Sequence, residues 1–176
     1  MTQSGFLAGA AIVALCGALF DIRSARIPNF LTYSAMASAL VCRFAFLGWR
    51  GLVDGTAGLL IAGGVFFLLF VIRAMGGGDV KLMAAVGAWV GLPNVGRALI
   101  ASALCGGLMA VGYMIFLKRF RSTLSNVVSL IRFHAVMGAE PHPEINLANP
   151  SAVRMPYGVA IALGSLSLLL PGIWKG

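Results

Sequence analysis

Charge is what this sequence has least of: Asp, Glu, Lys and Arg make up 10% of its 176 residues, against about 25% in an average soluble domain. So little charge cannot solvate a globular surface, which excludes a soluble enzyme. Cysteine is sparse as well. Cys16, Cys42 and Cys105 stand inside apolar runs with no CxxC spacing and no neighbouring His pair, so they are expected to pack as small apolar residues, with neither disulfide nor zinc. Acid is scarcer than base, at 5 Asp and Glu against 13 Lys and Arg, for a net charge of +8. The basic residues sit in short connections between apolar runs and form no stripe with interleaved aromatics. That excludes nucleic acid as the expected partner and points to a bilayer, where such charges orient helices and attract anionic lipid. There is no internal repeat and no low-complexity segment.

What is abundant is apolar sequence, 60% of the chain with a mean hydropathy of +0.95. Six runs stand out, at 6–20, 30–47, 57–72, 80–92, 98–117 and 156–170. With about 20 residues needed per bilayer span, they leave no room for a soluble domain. The expected fold is therefore all-α: a polytopic membrane protein of about six transmembrane helices forming one domain over 1–176. The first run lacks the positive residues that precede the apolar core of a secretory signal peptide and is expected to be retained. The fourth is short, giving roughly 20 Å of helix against a core of about 30 Å, so it must be tilted, extended or partly re-entrant.

Counted by side, the loops after runs 1, 3 and 5 carry Arg23, Arg26, Arg73, Lys81, Lys118, Arg119, Arg121, Arg132 and Arg154. The other side receives Arg43, Arg50, Arg97 and Lys175. The positive-inside rule then places both termini outside the cytoplasm and the 118–155 loop within it. In that loop Leu124, Val127, Val128, Ile131 and Ala135 share one helical face, which predicts an interfacial helix. Small residues four apart (Gly5/Gly9, Gly51/Gly55, Gly87/Gly91) predict close helix packing.

Among the five acids, Glu140 and Glu144 fall in the polar loop, and Asp54 is accounted for by Arg50 four residues earlier or by a helix cap. Asp21 ends the first run and Asp79 opens the fourth. A carboxylate against apolar sequence is expensive unless paired, capping or functional. Two intervening spans return the chain to the side it left, so both aspartates are expected at the cytoplasmic face. The structural alternative is that Asp21 accepts from Arg23 or Arg26 while Asp79 caps a helix beginning at Val80. Three consecutive glycines, Gly76, Gly77 and Gly78, weigh against it, because a plain cap needs one at most. They do not form a phosphate loop either, since the GxxxxGK[ST] spacing is absent.

GGGDVKLMAAVGAWVG (76–91) resembles the GxGD region of the type IV prepilin peptidases, membrane-embedded aspartic peptidases. FDIRSARIPNFLT (20–32) is similar to that family's first-aspartate segment, including Pro28 and Asn29, and MPYGVAIALG (155–164) to its last-helix element, with Pro156, Tyr157 and Gly158. The resemblance implies catalytic roles for Asp21 and Asp79, with the glycines, Lys81 and these Pro, Asn, Tyr and Gly residues supporting the site or the substrate. Val159 stands where many members have a second proline. Longer members carry a cysteine-rich segment after the first helix and methylate the new N-terminus. Here only residues 21–29 intervene, without cysteine, so methylation is not expected and the chain looks like the short enzymes of tight-adherence (Flp-type) pili.

The resemblance implies a bacterial inner-membrane protein that cuts after a glycine ending the short basic leader of a prepilin or pseudopilin precursor. The chemistry needs two carboxylates and calls for no metal and no cofactor: one partner deprotonates a water while the other, protonated, polarises the scissile carbonyl. The competing class is a small non-enzymatic transporter in which Asp21 and Asp79 bind cations and the glycine run is an unwound segment. Such proteins usually show inverted repeats, and this sequence has one glycine break with no counterpart. A reporter fused after Lys118 should read cytoplasmic and one fused after Lys175 non-cytoplasmic; the reverse pattern would put both aspartates on the wrong side for a leader peptidase.

Overall fold

The computed structural model describes residues 3–116 and 155–170, with 125–126, 128–129, 132–133 and 137–138 between them. Its helices are α1 (Gln3–Ser24), α2 (Asn29–Val71), α3 (Gly77–Val90), α4 (Leu92–Phe116) and α5 (Tyr157–Ser167), and there is no strand among the described residues. α1, α2 and α4 are long and apolar enough to cross a membrane, and α5 is a shorter apolar helix. The all-α membrane architecture is as the sequence implies. Of the face expected to form an interfacial helix in the 118–155 loop, Leu124, Val127, Ile131 and Ala135 lie outside the described residues.

α2 is not one straight rod. Gly48 breaks it with φ 67° and ψ −153°, a backbone conformation that costs glycine little and other residues much. In an unbroken helix Arg43 and Asp54 would be about 16 Å apart along the axis, yet Arg43 Nη1 lies 2.7 Å from Asp54 Oδ2. The arms 29–47 and 49–71 therefore fold back against each other. They correspond to the second and third apolar runs, and helix continues through 49–56, where the sequence pattern left a connection.

That ion pair corrects two expectations. Asp54 is accounted for not by Arg50 but by Arg43 in the facing arm, and its Oδ1 accepts from the Leu92 amide, capping α4 rather than α2 (3.2 Å). Arg43 is not a surface charge at a membrane border: it is 4% exposed. A one-dimensional pattern sees neither fact, because both depend on the reversal at Gly48.

α3 lies at the centre. From Leu82 to Val90 every residue is buried, so this short helix is apolar all round because protein surrounds it. Its closest neighbour is the second arm of α2, where Gly58 and Gly87 meet backbone to backbone; a Cβ at either would collide with the other's carbonyl oxygen. α1 covers another side with a face of small residues (Ala10, Ala14, Gly17, Ala18), Gly17 receiving the Leu82 side chain and Gly9 the Trp89 ring. α5 packs between α1 and α4, with Gly164 against Ser102. Small-residue packing is thus present, and Gly87 and Gly91, four residues apart, both pack against Gly58.

Two helix ends turn by left-handed residues other than glycine. α1 closes with Ala25 (φ 49°), whose amide donates to the Asp21 carbonyl at 2.8 Å. Past α2, Arg73 (φ 57°) and Ala74 donate to the carbonyls of Phe70 and Leu69, each at 2.9 Å, the crossed pair of a Schellman motif. A side chain in this conformation costs roughly 1–2 kcal/mol relative to the right-handed region. Both turns face the same cavity, described below.

The packing predicts opposite outcomes for a glycine of α3 and one of the second arm of α2. Gly87→Ala drives a methyl into Gly58 and Ala62 and should lower thermal stability in detergent by about 1–3 kcal/mol. Gly64→Ala meets nothing within 4 Å and should be neutral or raise stability by up to about 1 kcal/mol, since glycine weakens a helix interior.

Candidate active site

Asp21 belongs to the last turn of α1 and Asp79 to the first turn of α3. α3 begins at Gly77 after an extended Gly76 that serves as its N-cap without any side-chain hydrogen bond. Asp79 is therefore inside the helix and does not cap it; its amide donates to the Gly76 carbonyl at 3.2 Å. Asp21 makes no ion pair with Arg23 or Arg26, and Arg43–Asp54 is the ion pair found among the described residues. Both structural alternatives for the two acids thus fail.

The two carboxylates open onto one cavity of about 770 Å³ and are close enough to interact electrostatically. α1 contributes Asp21 and Ile22, the α1 turn Ala25, α2 Phe70 and Val71, and the following segment Arg73, Met75 and Gly76. Asp79 from α3, Tyr113 from α4, and Met155 and Pro156 ahead of α5 complete it. Two acids and one guanidinium are thus set in an apolar and aromatic wall. Asp21 is held from the far end of the sequence: the Gly158 amide, in the first turn of α5, donates to its Oδ2 at 2.8 Å. A helix N-terminus offers free amides and partial positive charge, which suits an anionic oxygen. A Cβ on Gly158 would stand 3.0 Å from the same oxygen and 3.3 Å from the Ala18 backbone, so the close approach needs glycine there.

The other residues singled out by the sequence divide by distance from this cavity. Gly76 and Pro156 line it. Gly77 packs beside the Phe70 ring and Gly78 against Ile27, fixing how α3 enters. Tyr157 turns its hydroxyl away to the Ser102 carbonyl (3.3 Å) and stacks edge-on to Phe66, while remaining within electrostatic reach of Asp79. Pro28, Asn29 and Lys81 do not line the cavity. Pro28 starts α2, and Lys81 donates to Asn29 Oδ1 at 2.9 Å with its ammonium over the Tyr33 ring, a tie between the first turns of α2 and α3. Missed by sequence reasoning were Phe70, Arg73, Met75, Tyr113 and Met155. For Arg73 and Met75 a signal existed in their place just ahead of the glycine run; Tyr113 shows only as an aromatic near the end of its run. Among the described residues no cluster of His, Cys, Asp and Glu could hold a metal ion.

Comparison with known proteins bears on the same segments. The chain is 35% identical over 120 residues to the "Type 4 prepilin-like proteins leader peptide-processing enzyme" of Escherichia coli O78:H11 (strain H10407 / ETEC), a match covering 62% of this chain and 42% of that relative. The matched stretch is thus less than half of the relative's length. No solved structure matches the chain significantly. The model of the type IV leader peptidase family matches residues 8–111, a stretch that holds both cavity aspartates and the glycine run. On that match, over more than half of its length, the chain belongs to the type IV leader peptidase family.

Proposed function

We propose that this chain is a membrane-embedded aspartic endopeptidase that removes the short basic leader from prepilin-like precursors. The observation that carries the proposal is the convergence of Asp21 and Asp79, from the end of one helix and the start of another, on one cavity. Membership of the family and the relative's name support the substrate class.

Two carboxylates at close quarters hold one proton between them more readily than they lose both. In the reaction the ionised partner takes a proton from water as its oxygen attacks the scissile carbonyl. The protonated partner donates to the carbonyl oxygen. Collapse of the tetrahedral intermediate breaks the C–N bond, and the leaving amine takes up a proton as the pair returns to its starting state. The Gly158 amide steadies Asp21, and the glycine run leaves room for an extended strand to reach Asp79. The apolar wall of Phe70, Met75, Tyr113 and Met155 suits the start of a precursor's apolar helix. No metal and no cofactor enters these steps.

With the hairpin at Gly48 counted as two and the shorter α3 and α5 included, the described helices are read as six membrane segments. The charge balance supports a site at the cytoplasmic face with both ends of this chain on the opposite side, and the family supports a bacterial inner membrane. Arg43 drops out of the outer count because it is buried, which sharpens the asymmetry. The short first connection favours a peptidase without methyltransferase activity, of the kind serving Flp-type pili.

Asparagine keeps the size of aspartate but cannot hold or release the shared proton. Asp21→Asn and Asp79→Asn should each reduce precursor cleavage in membranes to near background while the protein still accumulates, and the double variant should be little worse than either single. Glu144→Gln should cleave normally. Near wild-type processing by either aspartate variant would sink the two-carboxylate mechanism and turn the test to ion flux, as the transporter alternative requires.

A further inference from the structure

At the end of α3 opposite Asp79 lies a second polar centre. The Arg43 guanidinium, in the first arm of α2, donates from Nη2 and Nε to the Trp89 carbonyl (2.9 and 3.3 Å) and from Nη1 to Asp54 Oδ2 (2.7 Å). Its Cζ sits 4.8 Å from the centroid of the Phe6 ring of α1. Asp54, in the second arm, accepts in turn from Leu92, the first residue of α4. Trp89 ties back to the first arm, its Nε1 donating to the Ala35 carbonyl at 3.1 Å. Gly91 takes φ 69°, and a Cβ there would run into the guanidinium. Arg43 thus joins α1, both arms of α2 and the end of α3, and through Asp54 the start of α4.

The carbonyl it holds is one of those a helix leaves without an intrahelical partner at its C-terminus, where a cation is also favoured by the helix dipole. Two parallel donors on one carbonyl fix α3 along its axis as well as sideways. From Trp89 the helix runs unbroken to Asp79, about 15 Å at 1.5 Å per residue. At that other end α3 has a glycine N-cap with no side-chain hydrogen bond. The N-terminal ties are the Lys81–Asn29 bond, on an exposed surface, and apolar contacts such as Gly78 on Ile27.

We propose that Arg43 is a positioning residue: by clamping the C-terminal end of α3 to Asp54 and α2, it sets the axial position of that helix and so the placement of Asp79 relative to Asp21. It touches neither substrate nor reacting atoms. The proposal rests on the peptidase reading for its effect on catalysis, but its structural content does not. Asp54 is accordingly part of the same device, with no contact to the cavity.

The test uses the full chain with Cys16, Cys42 and Cys105 replaced by Ala. Spin labels at Ile22→Cys and Lys81→Cys report the distance between the end of α1 and the start of α3 by pulsed EPR in detergent. Cleavage is measured per folded molecule on the unlabelled variants. Arg43→Gln should shift or broaden the distance and lower kcat roughly 10- to 100-fold, with KM within about twofold because α3 itself contributes only Asp79 to the cavity wall. Arg43→Lys, which can reach the Trp89 carbonyl or Asp54 but lacks the planar fork, should recover part of both. Asp54→Asn should move both in the same direction as Arg43→Gln. A merely structural role would lower the amount of folded protein and leave kcat per folded molecule and the distance as in wild type; that result overturns the proposal, as does a change in kcat with no change in distance. If Arg43→Gln does not accumulate, the Lys and Asp54→Asn variants decide by the same criteria. Normal cleavage by Asp21→Asn and Asp79→Asn would remove the peptidase reading on its own account, and the label distance in Arg43→Gln would then decide the positioning claim alone.

Discussion

The architecture depends on a helix too short to stand by itself. α3 offers 14 residues where a bilayer span needs about 20, and from Leu82 to Val90 it has no exposed side. An apolar segment of this kind holds its place only through what grips it. The hairpin of α2 grips it twice: along its length by the backbone contact of Gly58 with Gly87, and at its end by the guanidinium of Arg43. Close backbone approach replaces the hydrophobic driving force that lipid does not supply between helices. α1 and α5 complete the enclosure with faces of alanine and glycine.

A burial of this kind sorts the polar groups to the two ends of the short helix. At its N-terminal end stand the two aspartates, the Gly158 amide and the guanidine-bearing turn at Arg73; at its C-terminal end stand Arg43, Asp54 and the amide of Leu92. The second group is closed on itself, since Arg43 gives each described donor bond to a partner inside the protein. Removing Asp54 leaves the buried guanidinium without its counter-charge, a change that costs about 3–5 kcal/mol in buried pairs. The first group is open to a cavity and has donors and acceptors to spare. That contrast between a satisfied and an unsatisfied polar centre separates structural charge from the site proposed for chemistry.

The cavity also gathers segments that sequence comparison keeps apart. The family match ends at residue 111, yet Met155 and Pro156 line the cavity and Gly158 donates to Asp21. The Met-Pro-Tyr-Gly element thus acts through backbone geometry: proline begins α5, and glycine lets its amide reach the carboxylate. The two left-handed turns at Ala25 and Arg73 do related work on the other wall, bending the chain sharply at the ends of α1 and α2 so that both helices stop at the cavity.

The all-helical membrane class, the shortness of the fourth segment and the placement of Asp21 and Asp79 at helix ends were legible in the sequence. Each follows from local quantities: the length of an apolar run, the scarcity of charge, and a carboxylate set where lipid makes it expensive. The family was legible for a similar reason, because Gly-Gly-Gly-Asp and the Ile-Pro-Asn segment are contiguous. The role of Asp54 was misjudged, since its partner Arg43 comes near only after the chain reverses at Gly48, and i to i+4 spacing pointed to Arg50 instead. Phe70, Tyr113 and Met155 could not be assigned to the site, because an aromatic or methionine in an apolar run reads the same whether it faces lipid or a cavity. Lys81 and Asn29 could not be separated from the cavity by spacing either; side-chain direction at two helix starts turned them to each other. One-dimensional pattern determines which residues are apolar, charged or free to turn, whereas contact between distant residues depends on where a helix breaks and how closely two backbones meet, and only the tertiary structure decides that.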